Sequence, residues 1–264
     1  MKRIFYTMLV FAFGITAFEK PEIVSDSAYE SIKPGDPAYS FVKIINASPR
    51  SPLVNFYFDS QKFTAGLSSS GAETSGLAYG GAYPSSGYAV ASPKTYTLSG
   101  RIAGAATVDP GLEVLNQSFT AGGGKYYTIF TDGAYDLSTK KISAIKILED
   151  KIPALDTSKV LIRFVNMLTG GPGIDLVKDR LDGAKLAVNV QYSQSTDWIE
   201  LPDPGPGTAP SFNFFFYNAA TGQPINNVAI AVTLSKGRAY TLFVRGVAGD
   251  TAFPLTLAGF VSFL

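Results

Sequence analysis

The chain has 264 residues, 46% of them hydrophobic and 16% charged, with 22 basic against 21 acidic side chains and neither cysteine nor histidine. Without those two residue types there is no disulfide framework, no thiolate or imidazole metal site and no Ser-His or Cys-His nucleophile. A balanced charge with no recurring basic run also argues against nucleic acid as a partner.

Met1-Lys2-Arg3 places positive charge ahead of an uncharged, largely apolar run over residues 4–17. That is the pattern of a secretory signal, and at roughly 14 residues it is shorter than the ~20 a membrane-crossing helix needs. Residues 1–17 are therefore expected to be a signal peptide. Ile15-Thr16-Ala17-Phe18 resembles the lipobox of bacterial lipoproteins, with Phe18 where the lipid-bearing cysteine would stand. Cleavage after Ala17 by an ordinary signal peptidase is expected, and a lipoprotein-like ancestry whose anchor was lost stays open. Residues 18–37 are mostly polar and interrupted by Pro21, Pro34, Gly35 and Pro37, which predicts a flexible tether.

From residue 38 onward the pattern is of short strands. Residues 41–46 form a β-branched run closed by the turn cluster Ser48-Pro49-Arg50-Ser51-Pro52. Residues 53–59 alternate Val54, Phe56, Phe58 against Asn55, Tyr57, Asp59, the period of a half-buried strand. Residues 66–93, rich in Gly, Ser and Tyr, predict one or two edge strands and a long loop. Strands follow over residues 96–98, 115–119, 126–130 and 142–148, and a linker containing Pro153 comes next. A second series covers residues 160–166, 174–177, 186–191, 197–201, 212–217, 228–234, 239–245 and 255–264.

The second series echoes the first. Val42-Lys43-Ile44-Ile45-Asn46 returns as Ile162-Arg163-Phe164-Val165-Asn166, and Leu77-Ala78-Tyr79-Gly80 as Val190-Gln191-Tyr192-Ser193. Gly124-Lys125-Tyr126-Tyr127-Thr128-Ile129-Phe130 returns as Gly237-Arg238-Ala239-Tyr240-Thr241-Leu242-Phe243. Asn46 should therefore match Asn166, and Tyr127 should match Tyr240. The spacing is that of a small domain, so the expected fold is all-β: two tandem immunoglobulin-like β-sandwich domains, residues 38–150 and 156–264. A transmembrane β-barrel is the rival architecture, but most runs are shorter than the ~10 residues a barrel strand needs. Phe214-Phe215-Phe216-Tyr217 puts aromatics on both faces of one strand, which predicts that its outer face is covered by the other domain or a partner.

At the two repeat starts the chain resembles domain-of-unknown-function family 4397, which is common in exported proteins of Bacteroidota and some other bacteria. The residues that carry the resemblance are Phe41-Val42-Lys43-Ile44-Ile45-Asn46-Ala47-Ser48-Pro49 and Val54-Asn55-Phe56-Tyr57-Phe58-Asp59, with Leu77-Ala78-Tyr79-Gly80 and Gly124-Lys125-Tyr126-Tyr127-Thr128. The second copy departs at Met167-Leu168-Thr169 and keeps Ile174-Asp175-Leu176-Val177. The resemblance spans most of residues 40–264. It implies a β-sandwich on a secreted or surface protein and brings no catalytic residues.

Enzyme chemistry is left with a carboxylate pair of the glycosidase kind, and the candidates are Asp59, Asp132, Asp175 and Asp197. Each falls at a strand end or turn, where Asp serves local hydrogen bonds, so no catalytic residue, metal site or cofactor is assigned. Gly122-Gly123-Gly124-Lys125 precedes a strand and lacks the spacing of a phosphate loop, which makes it a hairpin turn. The positive signal is aromatic: Tyr79, Tyr83 and Tyr88 in a Gly/Ser-rich segment, with Trp198 at the comparable place in the second copy. These four are the candidate ligand-binding residues, although alternate aromatics also fill sandwich cores. The expected function is a non-enzymatic protein of the cell envelope or surface, periplasmic or tethered near the outer membrane. Its expected role is adhesion, scaffolding, or binding of a glycan or a surface protein. The alternative is a carboxylate-based glycan hydrolase.

Overall fold

The computed structural model describes residues 31–66, 70–71, 76–151, 153–180, 182–201 and 210–263. The expected signal peptide, Phe18 and most of the expected tether lie outside the described residues. Residues 34–264 form one compact unit.

Its strands are β1 (Ser40–Ile45), β2 (Val54–Phe58), β3 (Gln61–Lys62), β4 (Ala82–Tyr83), β5 (Ala89–Ala91), β6 (Thr95–Ile102), β7 (Glu113–Thr120), β8 (Tyr126–Asp132) and β9 (Ala144–Glu149). They are followed by β10 (Val160–Thr169), β11 (Ile174–Lys178), β12 (Lys185–Val190), β13 (Gln194–Ser195), β14 (Ile199–Leu201), β15 (Ser211–Asn218), β16 (Ile230–Thr233), β17 (Arg238–Val247) and β18 (Thr256–Phe263). The described residues contain no helix. The protein is all-β.

Four sheets result. One runs β4-β1-β8-β9, with β5 also on β1, and another runs β3-β2-β6-β7; the remaining two run β13-β10-β17-β18, with β14 also on β10, and β12-β11-β15-β16. Adding nine to each strand number of the first two sheets gives the last two. The registers repeat as well: Val42 sits opposite Tyr127 in the parallel pair β1–β8, and Ile162 opposite Tyr240 in β10–β17.

Each sandwich closes on its own core. Val42, Ile44, Val54, Phe56, Leu98, Leu115, Phe119 and Ile129 fill the first. Ile162, Phe164, Leu176, Phe212, Phe214, Phe216 and Leu242 fill the second. Alternation along β1, β8, β10 and β17 sends the intervening side chains to the opposite face. There Ile45, Ala47, Phe130 and Leu148 meet Val165, Met167 and Phe243 in a third apolar cluster. The two sandwiches therefore pack back to back through the β1/β8/β9 and β10/β17/β18 sheets, leaving the β2/β6 and β11/β15 sheets outermost.

Two expectations are corrected here. The aromatics of β15 lie in an outer sheet: Phe212, Phe214 and Phe216 belong to the second core, while Phe215 on the other face is 7% exposed. The other sandwich meets a different sheet. The tether, in turn, ends before residue 34, because residues 35–39 lie against the turn at residues 122–124. Gly124 N–H donates to Tyr39 O at 2.7 Å and Gly35 N–H to Tyr126 Oη at 3.1 Å. A Cβ on Gly123 would collide with Pro37 O, so the bare glycine backbone is what lets a proline-rich segment dock.

Candidate functional site: the seam between the sandwiches

Buried polar side chains mark the middle of the seam. Lys43 of β1 and its counterpart Arg163 of β10 interrupt apolar strands, yet they are 0% and 5% exposed. Arg163 forms an ion pair with Asp150 at 2.5 Å and donates to Thr241 Oγ1 at 2.8 Å. Asp150 also accepts from Thr128 Oγ1 at 2.6 Å and from Tyr88 Oη at 2.9 Å. At the equivalent place in the second sandwich Thr241 meets the hydroxyl of Ser262, so one carboxylate serves two buried cations. Lys43 Nζ donates to Pro84 O at 2.6 Å and stands 5.1 Å from the Phe260 ring centre. Burial pushes the Lys43 ammonium down to about 8, and Asp150 opposes that shift only in part.

The contacts cross over in an approximate twofold manner. Tyr79 of the first sandwich lies under Arg245 of β17, with 4.3 Å from guanidinium carbon to ring centre. Its counterpart Tyr192 donates to Asp132 of β8, the residue equivalent to Arg245. Burial first, and then that bond, raise the Tyr192 phenol to about 12. Phe130 and its counterpart Phe243 meet edge to face at 5.2 Å, close to the axis.

Tyr88 and Trp198 are likewise counterparts, because Ala89 pairs with Val42 as Ile199 pairs with Ile162. Lys43 lies 5.8 Å from the Tyr88 ring, and Arg163 lies 4.9 Å from the Trp198 ring. Both aromatics also contact Phe263. Trp198 Nε1 donates to Lys151 O at 2.9 Å, so the indole is held from both sandwiches.

Each flank of the seam opens into a cleft. One, of about 250 Å³, is polar and is lined by Glu149, Lys151, Arg163, Ser195, Thr196, Asp197 and Trp198, with Leu148 behind them. The opposite cleft, of about 510 Å³, is largely apolar.

The four expected ligand residues do not converge. Tyr88 and Trp198 share the Phe263 contact, Tyr79 caps the far end of the seam, and Tyr83 lies in the first sandwich. Tyr83 packs edge-on to Phe63 and donates to Ala65 O at 3.2 Å. Tyr83, Tyr88, Tyr79 and Trp198 are all half-buried.

The four expected carboxylates also stay apart. Asp59 bonds Lys94 and Thr97 N, Asp132 bonds Tyr192 and Ser193, and Asp175 bonds Lys185 and Asn189 N. Asp197 lines the polar cleft. Among the described residues no cluster of three metal-ligating side chains occurs. Sequence reasoning passed over Lys43, Arg163, Asp150, Glu149 and Lys151. A basic residue at the same place in both repeats, inside apolar runs, was the available signal.

A third cleft, of about 320 Å³, opens at the edge of the first sandwich beside β3 and β5 and exposes part of the Phe63–Phe58–Tyr96 ring row. In the second sandwich Lys178 replaces Phe58 and lies over Phe212, which is 2% exposed.

Among solved structures, the chain is similar to CBMbc, a family CBM26 module from Eubacterium rectale Amy13K in complex with maltoheptaose. The identity is 16%, the match covers 83% of this chain and 96% of that one, and the TM-score is 0.27. A TM-score that low carries no argument about ligand. No curated protein matches the chain. The family described as "Domain of unknown function (DUF4397)" matches residues 40–177, more than half of the sequence, running from β1 through β11. The chain belongs to that family.

Proposed function

We propose that the protein is a non-enzymatic binding protein of the cell envelope, built from tandem copies of the family's sandwich, and that it takes a glycan at the polar cleft of the seam. The observation that carries this reading is Trp198. Its indole borders a cleft whose other walls are hydroxyls, carboxylates, Lys151 and Arg163, with Leu148 behind them. An aromatic wall with a few convergent polar groups suits a sugar ring, which has apolar faces and a hydroxyl edge. Sites between packed modules are also common ligand positions. Of the four expected ligand residues, only Trp198 is retained as ligand-facing in this reading. Export rests on the basic and apolar run of residues 1–17, and protein taken from the native envelope should then begin at Phe18.

The chain has a single tryptophan, so its emission reports the seam at this cleft, and calorimetry on Trp198→Ala assigns the ligand to it. Titration with a panel of soluble oligosaccharides should change the Trp198 emission saturably for at least one class. Trp198→Ala should then weaken that ligand at least tenfold by calorimetry. A panel that leaves the emission unchanged, or an unchanged affinity in Trp198→Ala, would reject the site.

Glu149 and Asp197 line the same cleft, which is the one observation favouring hydrolysis. Glu149 is tied to Lys125 at 2.9 Å. Release of new reducing ends from the bound glycan would replace the binding reading with the hydrolase.

A further inference from the structure

We propose that the apolar cleft on the other flank of the seam is a second, separate site, which binds a long-chain alkyl carboxylate. The cleft measures about 510 Å³, within the ~300–1,000 Å³ range of small-molecule sites. Tyr126, Leu155, Val261 and Phe263 supply its apolar walls, and Ser86, Ser262 and Arg238 its polar groups. The ring cluster behind it is continuous: Tyr126 packs on Phe41 at 4.4 Å and meets Phe263 at 5.4 Å.

The two flanks are related by the twofold exchange described above, yet their chemistry differs. Thr196, Asp197 and Trp198 border the polar cleft, while Ser86 and Gly87, the residues before Tyr88, border this one. On the strand side, Glu149 borders the polar cleft and Val261 this one. Both sit at the same register place, opposite Tyr127 and Tyr240 respectively. A shared scaffold with one wet and one greasy mouth is suited to two ligand classes.

Charge selects the headgroup. Arg238 is exposed, and among the described residues no ion pair involves its guanidinium. A guanidinium matches a carboxylate bidentately, which a neutral headgroup cannot reproduce. An alkyl chain on the aromatic wall with its carboxylate at Arg238 satisfies both halves of the cleft.

The test uses the purified chain with dodecanoate and dodecan-1-ol, each below the concentration at which it aggregates. Phe263 lines the cleft and lies 6.1 Å from the Trp198 ring, so occupancy should also alter Trp198 emission. Dodecanoate should bind saturably at one site, and dodecan-1-ol at least tenfold more weakly. Arg238→Gln should remove that preference, and Leu155→Asp, in the exposed linker, should weaken both ligands. The calorimetric signal should survive in Trp198→Phe, which separates this site from the glycan cleft. Absent dodecanoate binding overturns the proposal. So does equal binding of acid and alcohol, or a preference unchanged in Arg238→Gln. A chain that sediments as a dimer and binds no dodecanoate assigns the face to a second copy instead.

Discussion

Arg163 and Asp150 form a salt bridge that joins the two sandwiches, with side chains only 6% and 0% exposed. Desolvating two charges offsets much of their attraction, so such a pair adds little net stability while making the loss of either partner costly. Among the described residues, Asp150 is also the carboxylate whose charge acts on Lys43, which gives it a double role.

Asp150→Asn should therefore cost about 3–5 kcal/mol in denaturant unfolding, because it strands two buried cations. Arg163→Met should cost less, since Asp150 keeps Lys43 and two hydroxyl donors. Adding Lys43→Met to Asp150→Asn should recover part of the loss. Equal losses for Asp150→Asn and Arg163→Met would show that the carboxylate does not serve both cations.

Lys43 also sets a pH dependence. Its folded value of about 8 lies below the ordinary 10.5, so between those values the unfolded chain binds the extra proton. Stability then rises with pH across that window, and the penalty of the buried cation is fully present below pH 8. Tyr88 acts in the opposite sense above pH 10, because burial and the Asp150 carboxylate raise its phenol. From pH 8 to 10, unfolding midpoints of the wild type should climb relative to Lys43→Met. Parallel curves would mean that Lys43 is not desolvated.

Gly80 adopts φ +83°, and a Cβ there would stand 2.5 Å from the Arg245 guanidinium carbon. Gly80→Ala combines a left-handed strain of about 1–3 kcal/mol with displacement of Arg245 from Tyr79. It should destabilise the chain by at least the strain alone. Gly87→Ala, also at positive φ (+60°) but in open space, should show the strain without the clash. Equal losses would show that the Arg245 contact contributes nothing.

The expected tyrosines separate by the same kind of measurement. Tyr88→Ala removes a ring packed on Tyr126 and Phe263 together with a donor to Asp150, and should cost about 3 kcal/mol. Tyr83→Ala removes one edge contact and one bond to a loop carbonyl, so it should cost about 1 kcal/mol. Comparable losses would show that Tyr83 is more deeply packed than its single ring contact suggests.

The strand pattern was legible because each apolar run has period two, and the repeat placed Val42 with Ile162 and Tyr127 with Tyr240 in matching registers. The seam was not. Alternation assigns Lys43, Thr128, Arg163 and Thr241 to a solvent face, and only the back-to-back packing turns that face inward. The burial of those polar positions depends on contacts between the two sandwiches, such as Lys43 with Phe260. No local period encodes such contacts. Trp198 was visible as an aromatic of interest, but its support from Arg163 and Lys151 was not.

The seam makes two sandwiches behave as one folding unit, and equilibrium unfolding tests that directly. Trp198 emission reports the second sandwich at its contact with the first, while far-ultraviolet circular dichroism reports every strand. The two signals should fall together at one denaturant midpoint, and Asp150→Asn in the first sandwich should shift both equally. Two separated transitions, or a Trp198 transition unmoved by Asp150→Asn, would contradict the account.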